Sequence, residues 1–480
     1  MRSCRCAPVA ILVLAGVVAA CDMSAGTVDA PAQHGGPAAD AGSVADAGAS
    51  DPAAPTISDR ERGALLALSP SPLPPAPKDV SNAFADDPKA AAFGQRLFYD
   101  TSLSGKLLSS DNDGAPGTLG TAGQTGKASC ASCHEPTAAF TDTRSPGGAL
   151  SLGAEWTRRR SPSLLDVGQS GLLGWDGRHD ALYNMSSGAM ESPAAMNGSR
   201  LFVAEQVFQH HRAEYEAIFG AMPAMDDPKF PQLGASLSGC ASATSLSPDS
   251  CDEPPRGGPG DPAYDKLSQA DQDAVTRVFV NLGKSLAAYQ RLLTCGPGRF
   301  DAWIHGQNDA LDAAEQRGAR LFVGKGACLG CHSGPYFSDN ELHNVGVASE
   351  PRPDHGSLED NGALTGMTQA IGDPLGARQR FSDGDNQLLP PTVTESLRGA
   401  FRTPRLRCAS KRPSFMHTGA LKTMDAVVDF FNRGGESSGF AGVKQIAPLG
   451  LDPTEMADLV AFLKALDGPG PAAPLLGPPP

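Results

Sequence analysis

Apolar residues recur at helical spacing in several stretches of the chain. In "DPTEMADLVAFLKAL", Met456, Leu459, Val460, Leu463 and Leu466 fall on one face. Asp452 is placed to cap that helix, Pro453 suits its first position and Glu455 completes a capping box. Gly468-Pro469 ends it. "DPKAAAFGQRLF" starts in the same way at Asp87-Pro88. A longer helix is predicted over 268–293, with Val275, Val278, Phe279, Leu282, Leu286 and Tyr289 turned inward. No run of alternating apolar and polar positions argues for strands. The chain reads as mainly α.

The helical pattern occurs twice, with the same landmarks in the same order. "GQRLF" at Gly94–Phe98 returns as "GARLF" at Gly318–Phe322, and each precedes a CxxCH, "CASCH" at 130–134 and "CLGCH" at 328–332. Each CxxCH is followed by an aromatic–hydroxyl–Asp triplet, Phe140-Thr141-Asp142 and Phe337-Ser338-Asp339. "RSPSL" from Arg160 matches "RTPRL" from Arg402. Trp175 of "WDG" and His417 of "HTG" each stand 15 residues after that arginine. This is the signature of an internal duplication.

The CxxCH pairs carry the chemistry. A thioredoxin-like redox pair belongs in a βαβ setting, which is missing here. Zinc needs four ligands, and one CxxCH offers three. The remaining reading is covalent haem: two thiols add to the vinyl groups and the adjacent histidine lies beneath the iron. Cys130, Cys133 and His134 would hold one haem c, and Cys328, Cys331 and His332 a second.

Composition places these sites in a compartment. Of the 480 residues 55 are Gly and 41 Pro, a load that implies long loops, and the net charge of −14 argues against nucleic acid. Arg2 and Arg5 precede an apolar run to Ala20, which reads as a signal peptide over 1–20. "VVAAC" resembles a bacterial lipobox, which implies cleavage before Cys21, lipidation of its thiol and a periplasm-facing membrane lipoprotein. Residues 21–74 are then expected as a lipidated, disordered linker, and 468–480 as a disordered tail. Eight of eleven cysteines remain in the mature domain. Cys240 and Cys251 lie in a Pro- and Gly-rich insertion at 231–263 and are expected to pair locally; Cys295 and Cys408 are open to a link between domains.

The stretch from about 75 to 467 resembles the bacterial di-haem cytochrome c peroxidase and MauG family. Both CxxCH motifs carry the resemblance, with "LLGWDGRHDAL" at 172–182, "FRTPRLR" at 401–407, "SFMHTGALKTMDAVVDFFNRGG" at 414–435 and "DLVAFLKAL" at 458–466. It implies two cytochrome-c-like haem domains packed together, an N-terminal peroxidatic one over 75–300 and a C-terminal electron-transfer one over 301–467. It implies two covalently bound haem c groups, hydrogen peroxide as substrate and a small electron donor such as cytochrome c or a cupredoxin. Trp175 is placed by it as the relay between the haems. Calcium is common between the domains of this family, but Arg160 stands where an Asn usually helps to bind it.

The sequence departs from the family pattern at the chemistry. Met185 and Ala195 stand where a Gln and a Glu act on peroxide. Glu191 is the carboxylate that could substitute. No histidine lies in 135–170, where the family's inhibitory distal ligand is found. Phe431 replaces the second axial ligand of the C-terminal haem, leaving Met416 as a candidate metal ligand, with Met424 and His417 behind it. Arg160, Arg402 and Arg407 are candidates for the haem propionates. Two other readings stay open: an electron-transfer cytochrome without enzymatic activity, and a MauG-like oxidant of a partner protein.

Overall fold

The computed structural model describes residues 53–144, 150–232, 257–353, 356 and 359–479. The signal segment, the Cys21 anchor and the Cys240–Cys251 pairing lie outside the described residues.

The helices are α1 (Asp59–Ala67), α2 (Pro88–Tyr99), α3 (Cys130–Cys133), α4 (Leu182–Glu191), α5 (Arg200–His210), α6 (Arg212–Phe219), α7 (Pro262–Asp265), α8 (Gln269–Gln290), α9 (Arg299–Ile304), α10 (Ala313–Val323), α11 (Ala363–Gly372), α12 (Met424–Asn432) and α13 (Pro453–Ala465). Among the described residues the only sheet is a two-residue antiparallel pair, β1 (Leu342–His343) with β2 (Phe401–Arg402). None of these helices is long and apolar enough to cross a membrane. The expected capping box of α13 forms between Asp452 and Glu455. The inward face read along 268–293 is buried at all six positions, although α8 stops at Gln290.

The duplication is visible in the packing. α2 lies on α8 at Gly94, where an added Cβ would fall 1.9 Å from the Ser285 carbonyl oxygen. α10 lies on α13 at Gly318, where it would fall 2.0 Å from the Asp458 oxygen. Only glycine permits that backbone approach, so the GQRLF and GARLF landmarks mark the same helix crossing twice. The turn around Trp175 closes with a bridge between Leu173 and His179; its copy around His417 closes between Phe415 and Leu421.

Two large hydrophobic cores result. The first takes residues from 93 to 295 and adds Leu375, Ala377, Phe381 and Cys408. The second takes residues from 300 to 466 and adds Leu65 and Leu68. The chain therefore crosses between cores more than once, and a disulfide joins Cys295 to Cys408 within the first.

Two expected disordered segments are ordered in part. Within 21–74, α1 is capped by Ser58 and Glu61 and buries Leu65 and Leu68 completely. The Ala- and Pro-rich surroundings hide this nine-residue helix from a compositional reading. Within 468–480, Gln95 Nε2 donates to the carbonyls of Pro474 (2.6 Å) and Gly477 (2.8 Å), and the Tyr289 hydroxyl donates to that of Leu475 (2.6 Å). A Pro- and Gly-rich strand that cannot fill a core can still serve as a row of acceptors.

Candidate functional site

Each CxxCH folds into a short helical turn that aims its histidine. His134 Nδ1 lies 3.0 Å from the Phe140 carbonyl and His332 Nδ1 lies 2.8 Å from that of Phe337. Phe140 and Phe337 are fully buried and both take a positive φ, 54° and 55°, which turns the carbonyl toward the ring. In the neutral imidazole Nδ1 then donates to the carbonyl, and Nε2 keeps a free lone pair for a metal. Burial lowers both histidine pKa values and favours that neutral form. The four thiols form no disulfide, and burial pushes Cys130 and Cys328 up to about 12.

His134, Cys130 and Cys133 open on a cavity of about 870 Å³, a size typical of cofactor pockets. Trp175, Glu191 and Met185 line the same cavity, so the structure brings together both residues singled out for catalysis. Ala195 lines it too, and supplies no polar atom. Glu191 is engaged rather than free: Arg200 Nε donates to its Oε1 at 3.0 Å and Arg200 Nη2 to its Oε2 at 3.2 Å. Burial works against the Arg200 charge, but Glu191 outweighs it and raises the Arg200 pKa.

At the second CxxCH the fit to a haem rests on a cluster of cations with buried nitrogens that lack acceptors. Arg402 and Arg405 are buried and Arg412 half-buried. Arg402 Nη1, Arg405 Nε and Arg412 Nε meet no hydrogen-bond acceptor. Burial lowers all three pKa values, to about 10, 9 and 10; neighbouring arginines add to the fall at Arg402 and Arg405, while Asp166 works against it at Arg405 and Arg412. An unpaired buried guanidinium is costly, and the two propionates of a haem are the anions such a cluster requires. Of these three the sequence singled out Arg402 as a candidate for a propionate, and not Arg405 or Arg412. Arg407 is a correction. It is fully buried and bound at both ends to Asp301, Nη1 to Oδ2 at 2.7 Å and Nη2 to Oδ1 at 2.8 Å, so its charge already has a carboxylate partner within the protein. Arg160 lines the first cavity and donates to the carbonyls of Asp142 and Arg144.

Met416 sits half-buried, at φ 66°, in the turn closed by Phe415 and Leu421. Phe431 stands on α12, half-buried and edge-on to Phe430 at 5.4 Å. His343 bonds to Asp339 and Gln445, and His211 to Asp100 and Glu214.

Between the two sites runs an aromatic stack. The Trp175 ring centroid is 6.5 Å from that of His417, and His417 stacks on Phe401 at 3.5 Å with 16° between planes. The Arg159 guanidinium lies 5.2 Å from the Phe401 centroid. Arg159 is held by Asp360 through two bonds of 2.8 and 2.7 Å and by Asp176 at 2.5 Å. Burial drives the His417 pKa down to about 3, so the ring beside Trp175 is neutral.

Residues 88–250 match the family model described as di-haem cytochrome c peroxidase. The chain is 29% identical over 404 residues to the cytochrome-c peroxidase IdrP1 of Denitromonas iodatirespirans, covering 82% of this chain and 85% of the relative. It is 27% identical over 379 residues to the methylamine utilization protein MauG of Methylorubrum extorquens, covering 79% and 78%. In fold it is similar to a crystallised MauG-like protein associated with microbial copper homeostasis, at a TM-score of 0.55 and 23% identity over 85% of this chain and 98% of the other.

Proposed function

The chain belongs to the family of di-haem cytochrome c peroxidases and MauG proteins, and we propose that it is an exported, periplasm-facing lipoprotein that reduces hydrogen peroxide with electrons from a small donor, a cytochrome c or a cupredoxin. Cys130, Cys133, Cys328 and Cys331 would hold two haems by thioether bonds, with His134 and His332 as axial ligands and Met416 as the candidate second ligand of the His332 haem. Bound haem supplies the redox-active irons. The protein's own part is to admit peroxide to the cavity, to move its protons and to join the two sites.

One observation carries the reading. A single cavity of about 870 Å³ is lined by the first CxxCH and by Trp175, and Trp175 meets the second module at His417. A site for peroxide and a conduit for electrons thus share a wall. Stopped-flow mixing of the reduced holoprotein with peroxide tests it. Two electrons lost per peroxide, with repeated turnover when a donor is supplied, is the expected result.

A second reading, an electron-transfer cytochrome, is favoured by Met185 and Ala195, neither of which can transfer a proton. A slow response, with low-spin spectra at both irons, would support it.

A further inference from the structure

The first cavity has lost the family's acid–base side chains at 185 and 195, and Glu191 is bound by Arg200. Another titratable group is built into it. His179 lies in the turn before α4 and lines the cavity together with His134. Its backbone is pinned by the bond from the Leu173 amide to the His179 carbonyl, 2.8 Å. Its ring rests on Gly188. A Cβ added there would lie 2.9 Å from His179 Cε1, and the three nearest atoms would all belong to that ring. Met185, Gly188, Ala189 and Ser192 form the cavity-lining stripe of α4, so the imidazole lies on that stripe.

The second module lacks this arrangement. At the position that corresponds to His179 it has Leu421, and at that of Gly188 it has the buried Phe430. One copy of the duplicated turn thus carries an imidazole over a glycine, and the other carries two apolar side chains. Arg178 and Asp180 flank His179 along the chain, and His134, Arg158, Arg159, Arg160, Glu191, Arg200 and Asp373 are further charged and titratable groups that line the same cavity.

We infer that His179 is the acid–base residue of this cavity, seated in the room that Gly188 leaves for it. The inference rests on the peroxidase reading. The neutral imidazole accepts a proton from one peroxide oxygen and returns it to the other, which departs as water when the O–O bond breaks. Overall, hydrogen peroxide, two electrons from the reduced donor protein and two protons from solvent give two waters. The imidazole ends in the state in which it began. A histidine is suited to this because its ordinary pKa lies near the working pH.

The test uses two reagents on the holoprotein. Hydrogen cyanide must give up its proton to bind ferric haem, so its association rate reports the proton acceptor without turnover. In His179→Gln, peroxide reduction and cyanide association are both expected to fall by about 10²-fold or more, and the cyanide rate to lose the acid limb of its pH profile. Gly188→Ala removes no titratable group but displaces the ring, and is expected to slow both by about tenfold; it carries the test if His179→Gln fails to load haem. Cyanide association within about threefold of the unmodified protein in these variants, at unchanged haem content, overturns the assignment. If the unmodified protein does not reduce peroxide while cyanide association still depends on His179, the peroxidase reading falls and the assignment of the proton acceptor stands.

Discussion

Trp175 and His417 hold the same position in the two copies of one module, and they face each other across the junction with ring centroids 6.5 Å apart. The backbone repeats the relationship. The Arg402 amide donates to the Trp175 carbonyl and the Arg160 amide donates to the His417 carbonyl, each at 2.7 Å. Those two arginines also correspond in the repeat. Each module therefore grips the other through the same pair of positions, which is how a two-fold arrangement closes on itself.

On the proposed function, electron exchange between the two haems is the first property that would depend on that contact. The indole N–H of Trp175 donates to the Arg160 carbonyl at 2.7 Å, and phenylalanine would keep the ring but lose this bond. Trp175→Phe is expected to slow re-equilibration between the haems by about tenfold or more at unchanged haem content. Fast reduction of one haem followed by absorbance of the other measures it. An unchanged rate would route the electron elsewhere.

His417 makes a prediction about acid. Its folded pKa of about 3 lies below the ordinary histidine value of about 6.5. The unfolded chain thus binds the proton more readily. The contribution is complete above pH 6.5 and drains away as the pH falls from 6.5 to 3. Between pH 7.5 and 5 that is about 2 kcal/mol at roughly 1.4 kcal/mol per pH unit below 6.5. Urea unfolding at the two pH values should show this loss in the unmodified protein and a flatter profile in His417→Gln.

The ion cluster beneath the stack predicts a larger effect. Arg159 is buried between Asp360 and Asp176, and burial alone would raise the Asp360 pKa, but the Arg159 charge holds it well below the usual carboxylate range. Asp360→Asn removes one counterion and leaves the guanidinium underpaired, at a cost of about 3–5 kcal/mol. Thermal and urea unfolding measure it. A loss under about 1 kcal/mol would mean that Asp176 suffices.

The Cys295–Cys408 bond spans 113 residues and ties the start of the second module's turn to the first core. The double variant Cys295→Ala, Cys408→Ala is expected to lose about 3–5 kcal/mol of stability, because a long loop is no longer closed in the unfolded chain. Both CxxCH turns should still load haem, since neither thiol belongs to them. Loss of haem in this variant would show that the bond shapes the sites as well.

Much of this architecture could be read in advance. The equal spacing from Arg160 to Trp175 and from Arg402 to His417 implied that the two residues correspond, and two helix crossings were written in GQRLF and GARLF. What escaped did so for physical reasons. Arg405, Arg407 and Arg412 lie close together along the chain, but only contacts show that Arg407 is bound to Asp301 while its neighbours each keep a buried Nε without an acceptor. His179 belongs to no spaced motif in the sequence; its place is set by Gly188, whose lack of a side chain says nothing until the ring is seen against it. Leu65 and Leu68 sit in a stretch whose composition resembles a tether, and burial depends on a core that begins at Phe300.

The strap formed by Pro469 to Gly477 bears on how the protein is made. Gln95, Tyr99 and Tyr289 find acceptors in it, and the Gly296 amide donates to the Pro469 carbonyl. The first core, built mostly from residues 93 to 295, is thus finished by residues that follow the second core along the chain. A chain folding from its N-terminal side would hold the segment bearing Cys130 and Cys133 beside an incomplete core until the strap arrives. On the proposed function, that interval would leave both thiols open to haem attachment.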